Sequence, residues 1–96
     1  MNRHLLWSAH AKRDMRMIFV YISKDNPIAA QNVLKRIHNT ALMLQDNPDI
    51  GRVGQIPGTR EFPVPGLSYL LPYRIGQDSI RILRVFHGAR RPPDKW

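Results

Sequence analysis

The chain has 96 residues, no cysteine, 43% apolar content and a formal net charge of +8 from fifteen Lys and Arg against seven acids. One domain with a modest core fits that length and composition, whereas disulfide frameworks, thiolate nucleophiles and thiolate–zinc sites are excluded. Arginine supplies eleven of the fifteen cations, and its planar fork suits phosphate and carboxylate, so the charge points to a nucleic acid or an acidic protein as partner.

Met1 to Leu6 holds too short an apolar run for a signal peptide, and no stretch is long enough to span a membrane. The four histidines, His4, His10, His38 and His87, follow no metal-ligand spacing. The expectation is a cytoplasmic protein without metal or cofactor. It has a single domain over residues 1–91 and a proline-stiffened tail over 92–96.

Along the chain, Arg3 to Trp7 reads as a short strand. Ser8 offers a cap for a helix running to about Ser23, with Ala11, Met15, Ile18, Phe19 and Ile22 on one face. Asn26-Pro27 starts a second helix, a cap followed by proline at the first helical position. Its stripe of Ala30, Val33, Leu34, Ile37, Ala41 and Leu44 ends near Gln45, before Asn47-Pro48. The short connection makes the two helices an antiparallel hairpin.

Asn47 to Gly58, rich in proline and glycine, reads as a loop. Strands are expected over 59–64, 68–75 and 79–87, joined by the turns Pro65-Gly66 and Gly76-Gln77-Asp78. Pro72 cannot donate to a ladder and predicts a bulge or an unpaired side. In the last strand, Ile80, Ile82 and Phe86 are expected on one face and Leu83 and Val85 on the other. Arg81 and Arg84 should point to opposite sides. The fold class is α+β, a helical hairpin on one face of a small antiparallel sheet whose other face is partly open.

Three chemistries fit these residues. RNA cleavage without metal needs a proton carrier and cations on the phosphate. His87 has a suitable side chain near a strand end, and Arg60, Arg74, Arg81, Arg84 and Arg90 could hold phosphate. A lone histidine more commonly caps or packs a strand end, and single arginines are commonly solvated or paired with an acid such as Glu61 or Asp78. The second chemistry is base stacking by Trp7, Phe62, Tyr69 and Tyr73, although aromatics at alternate strand positions are more commonly core. The third is a groove between hairpin and sheet that takes an acidic segment folding on binding. Gly51-Arg52-Val53-Gly54 lacks the lysine and hydroxyl of a phosphate loop and reads as a turn.

An ordered set of segments is similar to the RelE/ParE superfamily of bacterial toxins from type II toxin–antitoxin modules. They are Trp7 with Ala9 and Ala11, Tyr21-Ile22, Asn26-Pro27 with Ala29-Ala30, Asn47-Pro48 with Gly51-Arg52, and Gly58-Thr59-Arg60-Glu61. Tyr69-Leu70-Leu71-Pro72-Tyr73-Arg74 and Arg84-Val85-Phe86-His87-Gly88-Ala89-Arg90 complete the set. The resemblance implies a helical hairpin on a small sheet and a cognate antitoxin that wraps the toxin. It also implies one of two activities. RelE-like members cleave messenger RNA in the ribosomal A site with a basic cluster; ParE-like members lack that cluster and poison DNA gyrase.

Arg90 falls where RelE-like toxins carry a functional arginine. Leu70 stands where they carry another, and Arg60 and Phe62 where they tend to show lysines. The resemblance is nearer the ParE side, which makes the protein a gyrase inhibitor rather than an enzyme. Its target-binding surface would comprise Arg60, Arg74, Arg81, Arg84, His87, Arg90 and Trp96. The alternative is a ribosome-dependent mRNA endonuclease in which His87 handles the proton and Arg60, Arg84 and Arg90 hold phosphate. A non-toxic binding module acting only in complex is the third reading.

Overall fold

Two side-chain caps start the helices. In the computed structural model, which describes residues 3–88, Ser8 Oγ accepts from Ala11 N–H at 3.0 Å and opens α1 (Ala9–Ser23). Asn26 Oδ1 accepts from Ala29 N–H at 3.0 Å and opens α2 (Pro27–Asp46), with Pro27 in the first turn as the sequence implies. Helix α2 stops at Asn47 because the following Pro48 disfavours helical backbone before it.

The sheet contains β1 (His4–Trp7), β2 (Arg52–Val53), β3 (Arg60–Pro63), β4 (Tyr69–Ile75), β5 (Ser79–Ile82) and β6 (Phe86–His87). Its order is β1-β5-β4-β3-β2, with β6 also pairing β4. The pairs β2–β3, β3–β4, β4–β5 and β4–β6 are antiparallel, and β1 joins the edge parallel to β5. The expected α+β architecture is present, with one parallel edge that the sequence reading did not specify.

Helix α2 lies over the sheet and α1 lies outboard of it. Helix α2 contributes five buried residues, Ala30, Ile37, Thr40, Ala41 and Leu44, whereas α1 contributes Ala11 alone. Ile37 and Leu44 meet Leu71, Tyr73, Ile80 and Ile82 in a core where each side chain is fully buried. Burial of each aliphatic there is worth about 1.5–3 kcal/mol relative to exposure. The outboard placement of α1 leaves Met17, Val20 and Tyr21 at 63%, 58% and 75% exposure.

Two segments differ from expectation. The loop after α2 contains a short helical turn (Pro48–Ile50) and the edge strand β2. Gly51 is buried there because its N–H donates to Tyr73 Oη at 3.0 Å, and a Cβ at that position would lie 2.3 Å from the same oxygen. Close approach, not flexibility, explains this glycine.

The last strand, expected to be continuous from Ser79 to His87, is broken between β5 and β6. Between the pairs Tyr73↔Ile82 and Leu70↔Phe86, β4 has two residues and the opposing chain has three, Leu83, Arg84 and Val85. That extra residue is a β-bulge. Directly opposed residues share a face, so the bulge turns Phe86 to the outer side with Leu70. Phe86 was expected to share the side of Ile80 and Ile82. His87 instead joins Tyr69 on the helix side.

Candidate functional site

Pro72 sits at the bulge, as its missing donor predicts. Its carbonyl accepts from Leu83 N–H at 2.9 Å, and the same edge of the residue has no N–H to offer the bulged chain. The irregular backbone is stitched to α1 instead. Ser8, already the cap of α1, donates its hydroxyl to Leu83 O at 2.7 Å.

Nearly two turns further along α1, Asp14 accepts from Val85 N–H at 2.9 Å, from Arg84 Nε at 2.7 Å and from Arg84 Nη2 at 3.1 Å. A single carboxylate thus satisfies a backbone donor released by the bulge and forms a two-pronged pair with the guanidinium. The hydrogen bond that Arg84 donates to Asp14 outweighs burial and holds Arg84 above its ordinary pKa, so it stays protonated.

Neither Asp14 nor its role was anticipated. A signal was available: Asp14 lies three residues after Ala11 and four before Ile18, on the buried edge of a helix whose other charges are basic. An acid at that place requires a partner inside the fold.

Beside this stitch runs an open groove of about 610 Å³ between α1 and the sheet. Met17, Ile18 and Tyr21 line it from the helix, Tyr69 and His87 from the strands, and Phe86 borders it at β6. The rings of Tyr69 and His87 meet edge to face, with centroids 5.6 Å apart and planes at 82°. The Asp14–Arg84 pair completes the lining.

The residues expected to act together are divided among three places. Arg84 and His87 face the groove. Arg60 lies at the loop after α2, where its Nη1 donates to Gly51 O at 2.7 Å and to Asp49 O at 3.4 Å. The Asp49 carboxylate stands 4.0 Å from its Nη2. Arg74 and Arg81 are opposed partners on the outer side of the sheet, both exposed. Arg81 and Arg84 therefore do lie on opposite sides. Arg90 and Trp96 lie outside the described residues.

The stacking candidates have other roles. Tyr73 is fully buried, accepts from Gly51 N–H and donates to Pro48 O at 2.6 Å. Burial pushes the Tyr73 phenol above its ordinary pKa, against the opposing effect of the Gly51 hydrogen bond. Trp7 stacks on His38 with centroids 6.1 Å apart, and Phe62 packs against the core. Glu61 is buried and accepts from Arg52 Nε at 3.2 Å and Gln55 N–H at 3.4 Å, an internal pairing of the kind considered for the arginines. Among the described residues no three His, Asp or Glu side chains gather as a metal site. None of the described helices is long and apolar enough to cross a membrane.

Comparison with known proteins adds the lineage. Residues 5–92 match the family model described as "ParE toxin of type II toxin-antitoxin system, parDE". A Sinorhizobium fredii relative named "Putative toxin Y4kP" is 37% identical over 92 residues, 96% of this chain and 95% of its own. "Toxin RelE1" of Caulobacter vibrioides is 34% identical, over 91% of this chain and 95% of its own. Among solved structures, the chromosomal ParDE system from P. aeruginosa superposes with a TM-score of 0.80 at 26% identity, covering 88% of this chain and 95% of that one. The E. coli DinJ–YafQ toxin–antitoxin complex shares the fold, with a TM-score of 0.60 at 16% identity over 93% and 96% of the two chains.

Proposed function

The chain belongs to the ParE toxin family of type II toxin–antitoxin systems, and on that premise we propose that it is a non-catalytic poison of DNA gyrase. A cognate antitoxin neutralises it in the bacterial cytoplasm. The observation that carries this reading is the state of the cations near His87. Metal-free RNA scission needs free cations converging on the phosphate beside a proton carrier. Arg84, the described cation nearest His87 in sequence, is already held by Asp14 at 2.7 Å, and Arg60 is tied to the loop after α2. A binding surface, rather than an assembled catalytic cluster, fits that distribution.

The groove beside α1 suits the antitoxin. Met17 and Tyr21 offer exposed apolar anchors, the kind of side chain on which a polypeptide segment docks. Purified toxin added to gyrase and plasmid should accumulate cleaved DNA covalently held by the enzyme, and added antitoxin should abolish it. Unimpaired supercoiling at saturating toxin would sink the gyrase reading.

One observation supports the ribosomal alternative. The bulge turns His87 into the groove lining rather than to the outer face, which puts an imidazole beside whatever the groove binds. Under that reading, translating ribosomes with toxin would yield cut messages, and His87→Ala would leave them whole. Inactivity in both assays would favour the non-toxic binding module.

A further inference from the structure

The outer face of the sheet carries cations that neither the groove nor the bulge explains. Arg74 in β4 and Arg81 in β5 are direct partners in the antiparallel register, and both are exposed. Side chains so opposed leave Cβ atoms about 5 Å apart, and like charges there repel. Among the described residues no carboxylate answers either one. Among the described residues the Arg81 side chain makes no hydrogen bond or ion pair, and the Arg74 side chain only a 3.4 Å bond from Nη1 to Pro57 O. Gly58 makes room for Arg74: a Cβ there would stand 2.7 Å from Nη1.

Arg52 extends the same side. It opposes Glu61, which opposes Pro72, two residues from Arg74 on one strand face. Its contact with Glu61 runs through Nε, and its side chain is 68% exposed. Arg74 and Arg81, unneutralised among the described residues, and the exposed Arg52, whose Nε meets Glu61, form a surface that only donates hydrogen bonds and matches the fork geometry of phosphate.

The surroundings select among anionic partners. A polypeptide would need apolar anchors, but Pro72 and Phe86 are buried, and Leu6 at 37% is the one exposed large apolar side chain described on this side. A single strand would need aromatic platforms; Tyr73 is buried, and Tyr69 and Trp7 lie on the helix side. Duplex RNA shares the phosphates, and its 2′-hydroxyl also accepts from arginine, but reading that hydroxyl's donor side calls for an acceptor that none of the three arginines supplies. Duplex DNA held by its backbone without base reading is what remains. We propose that Arg74 and Arg81, extended by Arg52, form a clamp for the phosphate backbone of duplex DNA.

The proposal is independent of the toxin's target, and its test contains neither gyrase nor antitoxin, so either reading can fail alone. Full-length protein is titrated against a labelled duplex of about 20 base pairs over a salt series. Arg74→Gln with Arg81→Gln should weaken binding about tenfold or more and reduce the slope of log affinity against log salt by about two. The control Lys12→Gln with Arg13→Gln, which removes two exposed charges from α1, should leave the slope nearly intact. Arg74→Lys with Arg81→Lys should restore the slope, which separates lost charge from lost folding. Equal losses from the two Gln pairs would reduce the effect to net charge and overturn the clamp. So would tighter binding of single-stranded RNA, or a duplex affinity that the Gln pair leaves unchanged.

Discussion

Arg81 and Arg84 stand three residues apart and have opposite environments. Arg84 enters the bulge on the helix side, where Asp14 takes two of its donors and the adjacent backbone N–H. Arg81 stands on the outer side facing another arginine, and no described acid neutralises it. The helix side thus binds its charge internally and leaves an apolar groove open; the outer side buries its apolar groups and leaves charge open. A net charge of +8 says that anions are attracted. It does not say where. Strand alternation and one carboxylate on α1, Asp14, decide which of the two cations remains available.

The strongest way to break this contrast is to free Arg84. Asp14→Ala leaves a partly buried guanidinium and the Val85 N–H without their acceptor. With allowance for solvent screening of a partly exposed pair, it should cost about 2–3 kcal/mol in denaturant unfolding. Asp14→Asn keeps one acceptor and should cost less. If the Ala variant unfolds like wild type, Arg84 is not held structurally and becomes available for phosphate.

The next test concerns the loop that occupies Arg60. Tyr73→Phe removes the bonds to Pro48 O and from Gly51 N and should cost about 1–2 kcal/mol. Because burial raises the Tyr73 pKa, the folded state retains its proton where the unfolded chain begins to lose it, near pH 10. Stability should therefore be level below that pH and fall as pH rises through the folded value. Tyr73→Phe should flatten that alkaline limb; a limb of unchanged steepness would assign it elsewhere.

A smaller effect sharpens the groove. Tyr21→Ala, at a position 75% exposed, should leave stability within about 0.5 kcal/mol. Antitoxin affinity should fall about tenfold by calorimetric titration. Unaltered affinity would move the antitoxin off this side. Smallest of all, Arg81→Gln should raise stability by a few tenths of a kcal/mol, because it removes a repulsion between opposed like charges. A drop in melting temperature would show that Arg81 has a stabilising partner.

What could be read in the sequence was local. Ser8 and Asn26-Pro27 announce the helix starts because a cap bonds three residues away, and the apolar stripes follow from helical spacing. Pro72 announced the irregularity, since a proline in a paired strand must sit where a donor is not needed. Asp14 was missed because Arg84 lies 70 positions away, and helical periodicity carries no information over that distance. The parallel edge pairing of β1 with β5 is equally remote. Of the expected contact surface, the arginines and the opposite sides of Arg81 and Arg84 were identifiable; the hold of Asp14 on Arg84, the tie of Arg60 to the loop and the turn of His87 to the helix side were not.

Binding gyrase, rather than cutting RNA, is the action we propose for this toxin. Inducing the wild-type protein and His87→Ala in cells, with a DNA-damage reporter and mapped transcript ends in the same cultures, tests it directly. The account predicts a strong damage response with intact messages for both proteins. Messages cleaved by wild type and spared by His87→Ala, with no damage response, would contradict it.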